Sequence, residues 1–212
     1  MGFRDRADAG RRLAAELAAL ELTDPVVLGL PRGGVPVARE VARALSAPLD
    51  VLVARKIGAP FQPEYGIGAI AEGGAVFIDD EPVRAIGLSP RDLGRLVERE
   101  QAELRRRVAR YRGNRAAIEL AGRSVVVVDD GLATGVTAEA ALRAVRGRAA
   151  RRAVLAVPVG AEQSFARILA VADEIVCVEP RLDLQAVGQW YVDFRPTTDE
   201  EVLDCLASAR AT

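Results

Sequence analysis

Ser124-Val-Val-Val-Val-Asp-Asp-Gly-Leu-Ala-Thr-Gly-Val-Thr137 is the stretch from which the rest of the chain can be read. Four consecutive valines predict a strand buried on both faces, as in a parallel sheet. Asp129 and Asp130 stand where that strand ends. A loop with Gly131, Thr134, Gly135 and Thr137 follows, and a helical pattern starts at about Ala138. Strand, acids, loop and helix in this order form a binding site at the carboxyl edge of an open α/β sheet. The loop offers backbone N–H groups and two hydroxyls to a phosphate, with the positive end of a helix dipole behind it. The two carboxylates can accept hydrogen bonds from a pair of neighbouring hydroxyls. Phosphate and vicinal diol together describe a ribose 5-phosphate. Receiver domains also place adjacent acids after an apolar strand, but their site needs a lysine further along the sheet. The single lysine here, Lys56, lies upstream.

Working outward, the flanks alternate strand and helix. Residues 25–30 predict a strand that runs into Pro31-Arg32-Gly33-Gly34, and residues 35–45 a helix. This is a second strand–loop–helix unit suited to a phosphate: Gly33 and Gly34 let backbone approach a ligand, and Arg32 adds a fixed positive charge. Residues 48–54 predict a strand ending at Arg55-Lys56-Ile57-Gly58. A turn-rich loop over 59–66 leads to short strands at 67–71 and 75–78, turning at Gly73-Gly74. Ser89 as N-cap and Pro90 at the first helical position open a long helix to about Arg112. Its apolar stripe is Leu93, Leu96, Val97, Leu104 and Val108, and its charged remainder reads as a solvated face. Downstream, a helix over 138–145, a strand over 153–157 ended by Pro158-Val159-Gly160, a helix over 162–171 and a strand over 174–178 complete the alternation. An amphipathic helix over 3–20 precedes it, and Thr198 starts a final short helix. The predicted fold class is α/β: a mostly parallel open sheet with helices on both faces, plus a small hood.

Composition fits one domain over 1–212, with a core at about 22–178 and a hood at about 179–212. Half of the residues are hydrophobic, enough for a large core. A net charge of −1 argues against general nucleic-acid binding. No apolar run spans a membrane and no signal peptide is evident, so a cytoplasmic location is expected. Two cysteines make neither a disulfide framework nor a metal cluster, and the absence of histidine removes the usual general base and zinc ligand. Catalysis is left to carboxylates, Arg, Lys, backbone N–H groups or a metal carried in by the substrate.

The run Val128-Asp129-Asp130-Gly131-Leu132-Ala133-Thr134-Gly135-Val136-Thr137 resembles the signature of the type I phosphoribosyltransferases, which bind 5-phosphoribosyl-1-pyrophosphate (PRPP). The resemblance implies that Asp129 and Asp130 bind the ribose hydroxyls. It implies further that Ala133, Thr134, Gly135, Val136 and Thr137 bind the 5-phosphate, and that Arg32, Gly33 and Gly34 wrap the pyrophosphate. Family members often hold a non-proline cis peptide in that last loop. Arg55-Lys56-Ile57-Gly58 and Glu64-Tyr65-Gly66 are similar to segments of the adenine-specific members. Arg55, Lys56 and Glu64 become candidate catalytic residues on a mobile loop at about 56–75. Members acting on 6-oxopurines carry an acid at the position of Ala133, so an amino-substituted purine is favoured as acceptor. The hood places Trp190 and Tyr191 as candidates for stacking on the base. The resemblance also implies Mg2+, with Asp129, Asp130 and, indirectly, Asp193 around it. The implied partners are PRPP, a small-molecule base and a second copy of the chain in a homodimer. A PRPP-binding regulator without catalysis is the alternative.

Overall fold

The computed structural model describes residues 2–209; the side chains of Pro63 and Glu64 lie outside that description. In chain order the strands are β1 (Val26–Gly29), β2 (Leu49–Val51), β3 (Ala54–Ala59), β4 (Gln62–Ala71), β5 (Val76–Ile78), β6 (Ser124–Val128), β7 (Arg152–Ala161) and β8 (Glu174–Arg181). The α-helices are α1 (Arg6–Leu17), α2 (Gly34–Ala44), α3 (Asp80–Ala85), α4 (Pro90–Arg112), α5 (Val136–Gly147), α6 (Phe165–Leu169) and α7 (Asp199–Ser208).

Five strands form one parallel sheet in the order β2-β1-β6-β7-β8. The valine run of β6 lies at its centre, and its alternation explains why all four are apolar. Val125 and Val127 face a core shared with α5 and α6, where Leu142, Val145 and Ile168 wait. Val126 and Val128 face the opposite core, shared with α1, α2 and α7 through Leu13, Val41 and Val202. A fully buried valine of this kind stabilises the fold by roughly 1.5–3 kcal/mol. The expected doubly covered parallel sheet is therefore present. The N-cap predicted at Ser89 forms, its Oγ accepting from the Asp92 N–H, and Thr198, the predicted start of the final helix, makes a reciprocal capping box with Glu201.

Strands β3, β4 and β5 make a separate antiparallel sheet. It is the small addition to the main sheet, and it occupies the stretch read from sequence as a loop followed by two short strands. It is held between two helices. Ala69 and Ala71 pack against Ala140 and Ala144 of α5, where small side chains permit close approach. Ile57, Ile67 and Ile70 join Leu104 and Tyr111 of α4. Arg112, at the end of α4, is buried; it bonds Asp50, the Val51 carbonyl and Glu72, tying that helix to the edge of the main sheet.

Other segments differ from expectation too. Strand β7 runs through Pro158 to Ala161 instead of stopping, because β6 has ended at Val128 and that flank next meets backbone only at Leu132, which bridges Gly160, so proline is tolerated between. The last helix belongs to the main core and not to a hood, since Val202, Cys205 and Leu206 are buried against α2 and β2. What remains over 182–197 is an irregular cover pinned to the N-terminus by Phe3, which pairs with Tyr191.

Candidate functional site

The topology brings the two glycine loops side by side, because β1 and β6 are neighbours and both end at the same edge. Gly34 lies against the carbonyl of Val128: a Cβ there would sit 2.6 Å from that oxygen and 2.8 Å from the Asp129 Cα. A Cβ on Gly33 would fall 1.9 Å from Asp130 Oδ2. Glycine is required at both positions by this contact with the acids, a reason the sequence alone could not supply. The Pro31–Arg32 peptide is cis.

Past Asp130, Gly135 adopts φ 77°, a left-handed conformation that glycine takes without strain, and α5 starts at the next residue. The first N–H groups of α5 have no intrahelical partner, so they are open to an anion. Ser164 Oγ donates to the Ala133 carbonyl and holds the loop's backbone from the far side. Ala133 and Thr134 are exposed, and Thr137 lines a cavity of about 510 Å3 in front of Asp129. Pro31, Arg55, Lys56, Arg99 and Arg107 also line it.

The two acids are not equivalent. Asp129 faces the cavity, and its Oδ1 accepts from the Asp130 N–H at 2.9 Å. Burial, and then the neighbouring Asp130, push its carboxyl well above the ordinary carboxylate value. Asp130 Oδ2 instead receives both Nε and Nη2 of Arg6 at 2.8 Å. The net shift of Asp130 is also upward, from burial, against the lowering pull of Arg6. Arg6 further donates to the Arg195 carbonyl at 2.9 Å, and its guanidinium lies 4.1 Å from the ring centre of Phe194. Of the two expected diol acceptors, Asp129 faces the cavity and Asp130 is paired with Arg6. Arg6 escaped the sequence reading because its partner is 124 residues away.

The remaining candidates sort as follows. Arg55 and Lys56 both line the cavity, but Arg55 is bonded to Glu100 at 2.8 Å. Lys56 lies against Gly66, close to the start of α5. Glu64 is in β4, and its side chain is outside the described residues. Arg32 is turned toward α7, 4.0 Å from Asp199, and is absent from the cavity wall. Tyr191 is a packing residue and not a base platform. It is buried between Phe3 and Phe194, and its hydroxyl donates to the Asp130 carbonyl at 2.6 Å. Trp190 stacks on the Arg181 guanidinium at 3.9 Å. Asp193 accepts from the Arg195 N–H at 3.1 Å and lines a separate cavity with Thr197 and Glu201. Among the described residues no group of three or more Asp, Glu, Cys or His side chains converges as a metal site.

A family model described as the phosphoribosyl transferase domain matches residues 4–193. This chain belongs to the phosphoribosyltransferase family. Two proteins of Mycobacterium tuberculosis, from strains CDC 1551 / Oshkosh and ATCC 25618 / H37Rv and both provisionally named phosphoribosyl transferases, are each 50% identical over 207 residues. That match covers 98% of this chain and 47% of each relative, so the chain spans about half the length of the curated relatives it matches. The crystal structure of TT1426 from Thermus thermophilus superimposes with a TM-score of 0.85 at 46% identity, covering 98% of this chain and 99% of that one. The AQ2163 protein from Aquifex aeolicus shares the fold alone, with a TM-score of 0.51 at 14% identity over 84% of this chain and 74% of that one. The described residues include no helix long and apolar enough to cross a membrane.

Proposed function

We propose that this chain moves the 5-phosphoribosyl group of PRPP onto a ring nitrogen of a purine-like base and releases pyrophosphate. One observation carries the reading. Asp129 opens into a cavity lined by Thr137 from the first turn of α5 and by Pro31, Arg55 and Lys56. The 5-phosphate sits at the N-terminus of α5, the ribose diol at Asp129, and the pyrophosphate between the Pro31 loop and β3. Anchoring the phosphate away from the breaking bond orients C1 for attack. The C1–O bond breaks with its electron pair leaving on pyrophosphate. The acceptor's lone pair forms the C1–N bond. The proton lost from the acceptor passes to a carboxylate, for which Glu64 is the candidate, and then to water. Charge building on the leaving group is met by cations fixed in advance.

Magnesium belongs to this scheme as part of the substrate. Among the described residues the cavity offers Asp129 as a carboxylate without a cation partner and no cluster of three or more metal-binding side chains, which fits an ion whose main ligands are PRPP oxygens. When bound, the ion neutralises part of the pyrophosphate charge. Alanine at 133 supports an amino-substituted purine as acceptor.

A binding protein without turnover is the second reading. The ion pairs that occupy Asp130 and Arg55 favour it. Incubating magnesium-PRPP with a panel of nitrogenous bases and assaying pyrophosphate separates the two. Release with at least one base is expected; silence across the panel with tight PRPP binding selects the binding protein. Thr134→Val tests the phosphate position. Loss of a hydroxyl bonded to a charged group costs about 1.5–3 kcal/mol, so ribose 5-phosphate affinity should fall by roughly 10- to 100-fold in a titration. An unchanged affinity would move the phosphate elsewhere.

A further inference from the structure

We propose that α4, the outer wall of the cavity, binds the pyrophosphate of PRPP through Arg99 and Arg107, an assignment that rests on the PRPP reading above. The sequence reading left the charged residues of this helix to solvent. The structure separates them. The inward stripe of α4 runs through Leu93, Leu96, Val97, Glu100, Leu104 and Tyr111, and it carries a carboxylate at its centre. Glu100 is 7% exposed; it bonds Arg55 from β3 and also Arg99, the latter at 3.2 Å. Arg107 is bonded to Glu103 at 3.0 Å with 32% of its side chain exposed, whereas Arg106 on the outer side is 61% exposed; Arg99, at the rim of the cavity, is 69% exposed. Arg99 and Arg107 line the cavity; Arg105 and Arg106 do not.

Three features make this wall a binding surface. First, four cationic side chains, Arg55, Lys56, Arg99 and Arg107, converge on the cavity wall from β3 and α4. Second, the arginines are oriented in advance. Glu100 holds Arg55 and Arg99, and Glu103 holds Arg106 and Arg107. The hydrogen bonds of Arg106 and then Arg107 hold the Glu103 carboxyl down at about 2, so it stays ionised throughout the neutral range. A guanidinium with one edge on a carboxylate keeps other N–H groups for phosphate oxygens, which it meets two at a time. Third, the helix is fixed close to Arg107. Tyr111 donates to Asp199 at 2.6 Å, and the next residue, Arg112, is the buried anchor to β2. Arg32, the cation expected to serve here, points to α7 instead. In the transfer step the pyrophosphate departs with the C1–O electron pair, and its new charge develops against these arginines while the acceptor nitrogen bonds C1 and loses its proton.

The test compares titrations of magnesium-PRPP, pyrophosphate and ribose 5-phosphate into the intact chain and into Arg107→Gln, Arg99→Gln/Arg107→Gln, Arg107→Lys and Arg105→Gln. Thermal melts show which variants are folded. The double variant should bind PRPP and pyrophosphate at least about ten times more weakly, from the loss of charge-assisted bonds, and ribose 5-phosphate as the wild type does. Arg107→Lys should recover part of the loss, and Arg105→Gln should change nothing. PRPP affinity unchanged in the double variant would overturn the assignment while leaving the PRPP reading intact. A fall for ribose 5-phosphate as large as that for PRPP would also overturn it, since the arginines would then act on the fold alone. Wild-type protein that binds neither PRPP nor ribose 5-phosphate would end both readings.

Discussion

Asp129→Asn is expected to lower affinity for magnesium-PRPP by about 100-fold or more, and to leave the protein more stable at neutral pH. The binding loss follows from removing the one open carboxylate in front of the cavity, where bonds from ribose hydroxyls to a charged acceptor contribute about 1.5–3 kcal/mol each. The stability gain follows from the direction of its shift. Burial and Asp130 raise the Asp129 carboxyl above its ordinary 3.8 in the folded state. Above pH 3.8 the folded chain therefore holds more protons than the unfolded one, and stability falls as pH rises toward the raised value. Asparagine removes that loss, so the melting temperature of the variant should equal the wild type's near pH 3.8 and exceed it at about pH 7. In the wild type, PRPP affinity should rise with pH through the same window, because only the ionised carboxylate accepts both hydroxyls. Melts at several pH values, with titrations in parallel, check both halves. A variant less stable than wild type at neutral pH would mean that Asp129 is a structural acid. This is the trade expected of a site residue held in an unfavourable state until its ligand arrives.

Arg6→Met should destabilise the fold by about 3 kcal/mol or more, because it leaves Asp130 partly buried without its cation. For a chain of 212 residues this corresponds to a fall in melting temperature of roughly 6–12 °C. Adding Asp130→Asn to Arg6→Met should recover most of the loss, since the uncompensated charge is then gone. Urea denaturation of the single and double variants measures the coupling. A single variant within about 0.5 kcal/mol of wild type would show that the pair contributes nothing, as exposed pairs often do. The pair also links α1 and the segment around Phe194 and Arg195 to Asp130. Arg6 opens α1, its other contacts are the Arg195 carbonyl and Phe194, and the Asp130 carbonyl receives the hydroxyl of Tyr191.

Much of the site could be read from residues 124–137 because its parts are local. The valine run, the acid pair, Gly135 and the start of α5 lie within one strand–loop–helix unit, and each is signalled by residue type and period. The parallel order of the main sheet followed from the alternation of strands and helices, since parallel neighbours need a crossover. The assignments that failed depended on partners distant in sequence. Tyr191 looked available to a base because nothing nearby reveals that Phe3 covers its ring. The charged face of α4 looked solvated because Glu100 finds Arg55 only once β3 packs against that helix.

The sequence by itself therefore determined the family, the sheet and the place where phosphate and ribose are expected to meet the chain, because backbone conformation there is set by near neighbours. Only the tertiary structure decided which of two adjacent carboxylates stays open, which aromatic is spent on packing and which arginines face the cavity. Charge pairing and burial depend on what arrives across the fold, and 124 residues separate Arg6 from the acid it claims.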